Sequence, residues 1–438
     1  MTNLSAKFAH WLYLPGGFTA VISRLTGLLA LLIGPIIWFW THAGSGGIYP
    51  MPYNVPTWLV HWHLLEVPLP PEPVNVVLFA LYVMSSLALL AGVRMRALYL
   101  FMAAMIVYYC SREWLIACFH WIILTFCFLL ALALDKPEKA RTSSRRLIQV
   151  AIVSCYLFGV LQKLTYPDFW QGYSFSSFFS DGFAANGIFK PLFAAAKMPI
   201  PAWAAFSWMI LVVETFLGLG LCFARTRLAT AIIGVLFHGG IMLTMEPIIG
   251  IFTLVMWTGY LAFFDKPLKS VEEAPSANIS EPGQAPVLNM VLCAALIALM
   301  LLMPLRIYLP GGPANDVLTL FDRTPWTYGM FIMRQKVDGV NIAVTKPDAT
   351  YYIKPSGWIL ECSTDNDLIA AANYAVKLHP SADRVEVQSI VTVNQRRHIL
   401  KTLAWEKAVT GQEPTISRSA QLIDDVKKDE LIKDWQLK

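Results

Sequence analysis

Long apolar segments separated by short polar stretches make up the first 303 residues of the chain. A helix needs roughly 20 residues to cross the ~30 Å hydrocarbon core of a membrane, and these segments approach that length with very few charged residues. They span residues 21–40, 74–93, 98–110, 114–134, 147–163, 203–223, 228–244, 247–264 and 287–303. This pattern predicts an α-helical polytopic membrane bundle with about nine transmembrane helices, of which the third is the shortest.

The pattern changes in the C-terminal tail, where charged residues occur throughout. The spacing of apolar positions predicts three strands and one helix in this tail, at 340–344, 351–354, 385–393 and 365–378 respectively. We therefore expect two domains, a transmembrane helical domain over residues 1–303 and a small α+β domain over residues 304–438.

Composition also indicates a membrane protein. Apolar residues make up 56% of the chain and charged residues only 14%, whereas soluble domains have about 25% charged residues. The 34 lysines and arginines exceed the 29 aspartates and glutamates by 5, and they are not gathered into one basic face. We therefore expect membrane lipid, and no nucleic acid, as a partner.

The loops between the predicted helices differ in charge. Those after the second, fourth, sixth and eighth segments contain eleven lysines and arginines, and the intervening loops contain three. Because basic loops tend to stay in the cytoplasm, we expect a cytoplasmic N-terminus and an extracytoplasmic tail. In the tail, Trp326, Tyr328 and Phe331 offer an apolar surface that we expect to pack onto the outer ends of the helices.

Cysteine and histidine spacing gives no indication of a metal site. Six of the seven cysteines lie in the apolar segments, so they predict neither a disulfide framework nor a zinc site. His61 and His63 stand two residues apart in a loop rich in tryptophan, where we expect an aromatic anchor at the membrane interface. No metal is therefore predicted.

Four ionisable residues lie inside or at the end of predicted membrane segments, where such groups usually face a cavity or a partner. They are His120, Lys163, Glu214 and His238. The predicted topology puts all four between the midplane and the outer surface, so we expect a shared cavity. Other interpretations stay open: Lys163 extends to the interface or pairs with Glu214, and each histidine bonds a backbone carbonyl.

The sequence around Lys163 contains the most specific motif. Residues 156–174 read YLFGVLQKLTYPDFWQGYS, in which a Lys-Leu pair is followed by Asp, Trp, Gly and Tyr-Ser. This resembles the vitamin K-dependent gamma-glutamyl carboxylase family, in particular its short bacterial relatives with an HTTM-type transmembrane domain. Further matches at 237–238, 250–252, 326–334 and 391–397 follow the family's order and extend the resemblance over most of the chain.

The resemblance implies an enzyme that oxygenates reduced vitamin K or a related quinol with dioxygen. The strong base formed in this way deprotonates the gamma carbon of a glutamyl residue, which then captures carbon dioxide. Lys163 corresponds to the family's catalytic lysine, and His120 and His238 to functional histidines, although Phe119 stands where the family has an asparagine. The residues expected to contact the quinol are Glu214, Trp170, Tyr173 and Tyr156.

This chemistry suits a lysine in an apolar pocket, because the amine must be neutral to accept a proton and burial disfavours its charged form. The resemblance also implies a bacterial inner-membrane location and a glutamate-containing peptide or protein as substrate. Long family members dock a propeptide with a region beyond the part matched here, so we expect any peptide capture to use the tail and the outer loops.

Two alternatives to this function remain. One is a quinol-oxygenating enzyme without carboxylation. The other is a non-enzymatic quinone- or lipid-binding membrane module with a partner-binding tail, in which Lys163 and Glu214 form a structural ion pair. The enzyme requires Lys163, His120 and His238 to line one pocket, whereas the module does not.

Overall fold

The computed structural model describes most of both expected domains. The described residues are 3–15, 18–38, 71–112, 120–135, 141–179, 189, 191, 198–245, 247–264, 287–305, 335–355, 365–407 and 414–438. The first part consists of α1 (Asn3–Leu12), β1 (Leu14–Pro15), α2 (Thr19–Trp38), α3 (Glu72–Leu90), α4 (Arg96–Arg112), α5 (His120–Ala133), β2 (Arg141–Thr142), α6 (Ser144–Thr165), α7 (Pro167–Trp170), α8 (Tyr173–Phe179), α9 (Ile200–Cys222), α10 (Arg227–Thr244), α11 (Pro247–Tyr260), a 3₁₀ turn (Leu261–Phe263) and α12 (Val287–Leu305).

Apolar helices occupy each of the predicted membrane segments, as far as these are described. Five of them are long and apolar enough to cross a membrane, namely α2, α3, α6, α9 and α10. The described apolar parts of α4, α5, α11 and α12 are shorter, at 10–17 residues. The described helices are thus consistent with an integral membrane protein, and the nine crossings stay a prediction.

The central helix of the bundle is α6. Of its membrane-length segment, 67% is buried inside the protein, against 33% for α9 and 22% for α10. A helix buried on most sides packs against other helices, whereas wide exposed apolar faces suit contact with lipid. Polar side chains on α6 are therefore enclosed by protein.

The end of α6 is fixed by a proline. Pro167 is the first residue of α7, where its fixed φ suits a helix start. The residue before it, Tyr166, has φ −103° and ψ 103° and is extended, because a following proline disfavours helical backbone. The last turn of α6, which contains Lys163, therefore ends at the junction with α7.

The tail forms one antiparallel sheet with two helices. Its elements are β3 (Gln335–Thr345), β4 (Thr350–Ile353), α13 (Asp365–Leu378), β5 (Arg384–Val393), β6 (Arg397–Glu406), β7 (Thr415–Ile423) and α14 (Asp425–Gln436). The strand order is β4-β3-β5-β6-β7. The predicted helix at 365–378 coincides with α13, and the three predicted strands fall on β3, β4 and β5 to within a few residues.

Each face of this sheet carries one helix. Val385 and Val387 of β5 pack in the cluster that contains Leu368 of α13. Ile390 has the opposite parity along β5 and packs in the cluster that contains Trp435 of α14. The strand alternation thus gives the tail an apolar core on both sides of the sheet.

Candidate functional site

A cavity of about 440 Å³ lies between α6, α8, α9 and α10, and Phe252 of α11 and His120 of α5 complete its wall. Most of its lining is apolar and includes Phe175, Phe179, Trp203, Phe206, Ile210 and Met245. Pockets for small ligands typically have volumes of about 300–1,000 Å³, apolar walls and a few polar groups. Here the polar groups include His120, Tyr156, Lys163, Glu214 and His238, so the structure brings five of the seven expected site residues together.

Helix geometry explains why Lys163 and Glu214 meet. Tyr156 and Lys163 are seven residues apart on α6, which is about two helical turns, so both face the cavity. On α9, Gly218 lies one turn after Glu214, and a Cβ at Gly218 would come within 2.8 Å of Leu157 on α6. The missing side chain lets α9 approach α6 closely enough for Glu214 to reach the lysine.

Lys163 and Glu214 form a buried ion pair. The lysine Nζ lies 2.5 Å from each carboxylate oxygen of Glu214. The side chain of Lys163 is only 4% exposed and that of Glu214 is 14% exposed. The Nζ atom also lies 5.6 Å from the centre of the Phe169 ring. The sequence left open whether Lys163 extends to the interface or pairs with Glu214. The structure contains the ion pair, and both residues line the shared cavity.

His238 is held by aromatic and polar neighbours. Its Nε2 atom lies 2.6 Å from the Tyr156 hydroxyl, and that hydroxyl also contacts the hydroxyl of Tyr260. The Phe252 ring meets the imidazole edge-on at 5.2 Å. His238 is 1% exposed, and its Nδ1 atom has no hydrogen-bond partner among the described residues. Nδ1 is therefore a buried ring nitrogen that the described residues leave unbonded.

His120 occupies another part of the cavity wall. It is 8% exposed, and its ring lies 5.9 Å from that of Phe252. Phe252 therefore stands between His120 and His238 and contacts both rings. The two histidines thus share a neighbouring ring and line one cavity although they are far apart in sequence.

Tyr260 was not among the residues predicted from sequence. It lies at the end of α11, and its side chain extends from there to Tyr156 on α6. A tyrosine near the end of an apolar helix is ordinary at a membrane interface. Only the tertiary packing of α11 against α6 shows that this hydroxyl contacts Tyr156, which lines the cavity.

Trp170 and Tyr173, which were expected to contact the quinol, are not among the residues that line the cavity. The Trp170 ring lies 6.3 Å from that of Trp208 on α9. The Arg396 guanidinium of the tail lies 4.1 Å from the centre of the Tyr173 ring. In this structure these two aromatic residues thus contact α9 and the tail.

The tail docks on the bundle through Asp168 of α7. Arg397 donates to Asp168 at 2.8 Å, Arg396 at 3.4 Å and Asn394 at 3.2 Å. Asp168 is 5% exposed, so these donors enclose it. The docking surface expected from Trp326, Tyr328 and Phe331 lies outside the described residues, as do His61 and His63.

Among the described residues, no group of three or more histidine, cysteine, aspartate or glutamate side chains is arranged to hold a metal ion. The cysteines described in the structure, Cys127, Cys155, Cys222 and Cys293, are free thiols. The polar side chains that line the cavity supply an amine, a carboxylate, a phenol, two imidazoles, the Cys155 thiol and the Thr244 hydroxyl.

Comparison of the chain with protein-family models, with curated proteins and with solved structures finds no match.

Proposed function

We propose that this chain is an integral-membrane, quinol-dependent carboxylase-like enzyme that couples quinol oxygenation to the carboxylation of glutamyl residues. The observation that supports this most strongly is the joint position of Lys163, His120 and His238 in one apolar cavity. This is the arrangement that the enzyme hypothesis requires. It adds spatial support to the sequence motif that follows Lys163.

The lining suits a reduced vitamin K or related quinol. Such a molecule has a flat apolar ring with oxygen atoms at opposite ends, and the cavity offers aromatic walls with polar groups at separate points. The side chains of Lys163 and His120 are two of these points. When bound, the quinol would supply, with dioxygen, the strong base needed to deprotonate a glutamyl carbon.

Lys163 acts as the base toward a quinol hydroxyl in this proposal. A charged ammonium cannot accept a proton, so the amine must first lose one. Glu214 lies 2.5 Å away and can take it. Transfer within the pair leaves the total charge of the cavity at zero, which avoids leaving one charge buried without a partner. Glu214 therefore serves as the proton acceptor that makes Lys163 reactive.

Burial protects this chemistry from water. Lys163 is 3% exposed, His238 is 1% exposed and most of the cavity wall is apolar. Excluding water prevents a strong base from being quenched before it meets its substrate. We further propose that the tail is extracytoplasmic, in a bacterial inner membrane, so that a glutamate-containing peptide approaches the cavity from the side that the tail covers.

The direct test uses purified protein in lipid nanodiscs with reduced vitamin K, ¹⁴C-bicarbonate and a glutamate-containing peptide. We expect label in the peptide and vitamin K epoxide in the lipid extract. Epoxide without labelled peptide would favour the oxygenating enzyme without carboxylation. A reporter fused after Lys438 should be active only outside the cytoplasm, and cytoplasmic activity would overturn the orientation.

Arginine at position 163 separates a base from a fixed positive charge, because it keeps its proton at any accessible pH. We expect Lys163→Arg to lose both products. The matched control is Asn289→Ala, which removes a buried polar group that donates to the Tyr13 hydroxyl at 3.0 Å, away from the cavity. If Lys163→Arg keeps near-normal turnover while bound quinone is unchanged, the base mechanism must be withdrawn.

The ion pair itself favours a second candidate, a non-enzymatic quinone- or lipid-binding module. In this case Lys163 and Glu214 only neutralise each other, and the cavity binds its ligand through apolar contacts. If so, the double variant Lys163→Met/Glu214→Gln should bind quinone as well as the unchanged protein does. Neither protein should show turnover. Turnover in the unchanged protein would exclude the module.

A further inference from the structure

One side of the cavity reaches the surface of the bundle. Met209 on α9 and Leu236 and Gly240 on α10 line the cavity, and all three are also exposed, Met209 to 50% and Leu236 to 70%. Residues that line a cavity and are exposed at the same time mark the place where it opens. This opening, bounded by Met209, Leu236 and Gly240, is the lateral gap of the cavity, and it lies between α9 and α10.

The hairpin of α9 and α10 is tight near its turn and open farther along. A Cβ at Gly220 would overlap the Thr230 side chain, so α9 contacts α10 there. Met209 lies eleven residues before Gly220, which is about three helical turns, so both are on the side of α9 that faces α10. A Cβ at Gly240, however, would meet no atom within 4 Å. The two helices therefore touch near the turn and separate toward the lateral gap.

The lateral gap lies at the depth of the lipid chains. Met209 and Gly240 are each thirteen residues from the end of their helix at the turn, which is Cys222 for α9 and Arg227 for α10. This is about 20 Å at 1.5 Å per residue, well inside the ~30 Å hydrocarbon core. The Thr244 hydroxyl, on the same side of α10, donates to the Gly240 carbonyl at 2.7 Å and is satisfied within its own helix. The lateral gap thus suits contact with lipid.

We propose that a ligand with a polar head and a long apolar tail enters the cavity from the lipid through the lateral gap, and that its tail stays in the gap when the head is bound. The head lies at Lys163 and Glu214, which line the cavity. Glu214 is five residues from Met209 along α9, or about 8 Å. A ring at the ion pair therefore needs an attached chain to fill the gap. That the head is a quinone rests on the proposed function.

The position of the polar groups favours a ligand that enters head first. A phospholipid keeps its head group at the membrane surface, so it would enter with the end of an acyl chain and place hydrocarbon against Lys163 and Glu214. Polar groups that lose solvent without gaining a partner are costly to bury. A prenylated quinone has its oxygen atoms on the ring and a single apolar chain, so its ring faces the ion pair while the chain occupies the lateral gap.

Two tritiated naphthoquinones test this proposal by equilibrium binding to the protein in nanodiscs, with empty nanodiscs as the background. Menadione has the ring alone, and menaquinone-4 has the same ring with an isoprenoid chain. The variant Gly240→Trp fills the gap with an indole. We expect it to weaken the binding of menaquinone-4 by about 10-fold or more, because the chain must enter occupied space. The binding of menadione should not change.

The matched control is Leu243→Trp, which adds an indole to the same helix at a residue that is 68% exposed and does not line the cavity. It should bind both quinones as the unchanged protein does. Gly240→Leu fills less of the gap and should weaken menaquinone-4 binding less than Gly240→Trp, and far-UV circular dichroism checks that each variant is folded. Equal losses for the two quinones, no loss for either, or the same loss in Leu243→Trp would overturn the proposal.

A photoreactive p-benzoylphenylalanine in place of Met209 identifies the occupant of the lateral gap directly. We expect mass spectrometry after illumination to show an adduct with the mass of menaquinone-4 when this quinone is present. A phospholipid adduct under the same conditions would overturn the assignment of the gap to the tail. If the quinone is captured and Gly240→Trp blocks its binding in a protein that forms neither epoxide nor labelled peptide, the tail site stands and the proposed function is overturned.

Discussion

Two buried carboxylates have different kinds of partner. Among the described residues, Glu214 in the cavity wall accepts from Lys163 alone, at 2.5 Å. Asp168, at the junction with the tail, accepts from two guanidinium groups, of Arg397 and Arg396, and from the amide of Asn394. An arginine keeps its proton, whereas a buried lysine can give one up. The first carboxylate is therefore suited to moving a proton, and the second to holding two parts of the chain together.

The largest effect expected from this comparison concerns Lys163→Ala. It leaves the Glu214 carboxylate without its partner in an apolar cavity, and breaking a buried ion pair costs about 3–5 kcal/mol. Lys163→Ala/Glu214→Gln removes both charges and should regain most of that loss while remaining inactive. Unfolding in SDS, followed by far-UV circular dichroism, measures both variants.

Equal stability of the single and double variants would contradict this expectation. It would mean that Glu214 takes up a proton when Lys163 is absent, at little cost. The two variants therefore measure the free-energy cost of leaving Glu214 in the cavity without its partner.

The next effect concerns Asp168→Ala, which removes the acceptor at the junction. Hydrogen bonds to charged groups contribute about 1.5–3 kcal/mol, and the Arg397 side chain is 31% exposed, which reduces its share. We expect faster hydrogen exchange in α7 and in the turn that joins β5 and β6. Exchange within α13 should not change, because its core contacts lie inside the tail.

If exchange at the junction is the same in Asp168→Ala as in the unchanged protein, Asp168 does not anchor the tail. Lys163→Ala serves as a comparison in the same measurement. It should affect the cavity helices and leave the turn between β5 and β6 unchanged. This pair of variants separates the two carboxylates by location.

A somewhat smaller effect is expected for Gly218→Ala. The added Cβ would lie 2.8 Å from a terminal methyl of Leu157 and 3.2 Å from the Tyr156 Cβ, so Leu157 must rotate and α9 must move slightly away from α6. Overpacking of this kind costs about 1–3 kcal/mol. We expect a longer Lys163–Glu214 distance and slower turnover. Gly239→Ala is the control, because Gly239 does not line the cavity and a Cβ there meets only Trp257, at an ordinary 3.6 Å. Equal turnover in both variants would show that the close approach of α9 is not needed for the pair.

The sequence was informative wherever a local pattern determines the structure. Apolar length predicted the positions of the helices, and alternation predicted β3, β4 and β5. Charges inside apolar segments led to Lys163, Glu214, His120 and His238, which do line one cavity. An ionisable group inside a membrane segment is costly unless it is buried in protein, and this general rule does not depend on the packing of a particular fold.

The sequence was less informative where helix packing decides. The pairing of Lys163 with Glu214 was one of several open interpretations, because sequence does not give the rotation of α9 relative to α6. Tyr260 was not singled out from the sequence, because only the packing of α11 against α6 brings it to Tyr156. Trp170 and Tyr173 were expected to contact the quinol, but their neighbours are on α9 and the tail. The contacts of the tail connect residues more than 200 positions apart, as in the pair of Asp168 and Arg397.

The smallest effect expected concerns the turn that carries the donors to Asp168. Asn394 and Gln395 both have positive φ, at 52° and 54°. Three residues connect the paired Val393 and Arg397, and the Arg396 N–H donates to the Val393 carbonyl at 3.0 Å across the first two. Such a turn with two positive φ values favours asparagine first and glycine second. Asparagine tolerates the conformation because its short polar side chain can hydrogen-bond locally, whereas the glutamine Cβ crowds the backbone without that compensation. Gln395→Gly should therefore stabilise the folded turn, although glycine also gains freedom in the unfolded chain.

These opposing terms leave a net stabilisation of less than about 1 kcal/mol. We expect slower hydrogen exchange in the turn and in α7, because a better-formed turn holds Asn394 and Arg396 closer to their positions at Asp168. Gln395→Ala is the control, since it shortens the side chain and keeps the Cβ. If glycine and alanine have the same effect, the backbone conformation of Gln395 does not limit docking. The rigidity of the junction would then come from the two arginines and Asp168, and the contrast with the single lysine at Glu214 would be sharper.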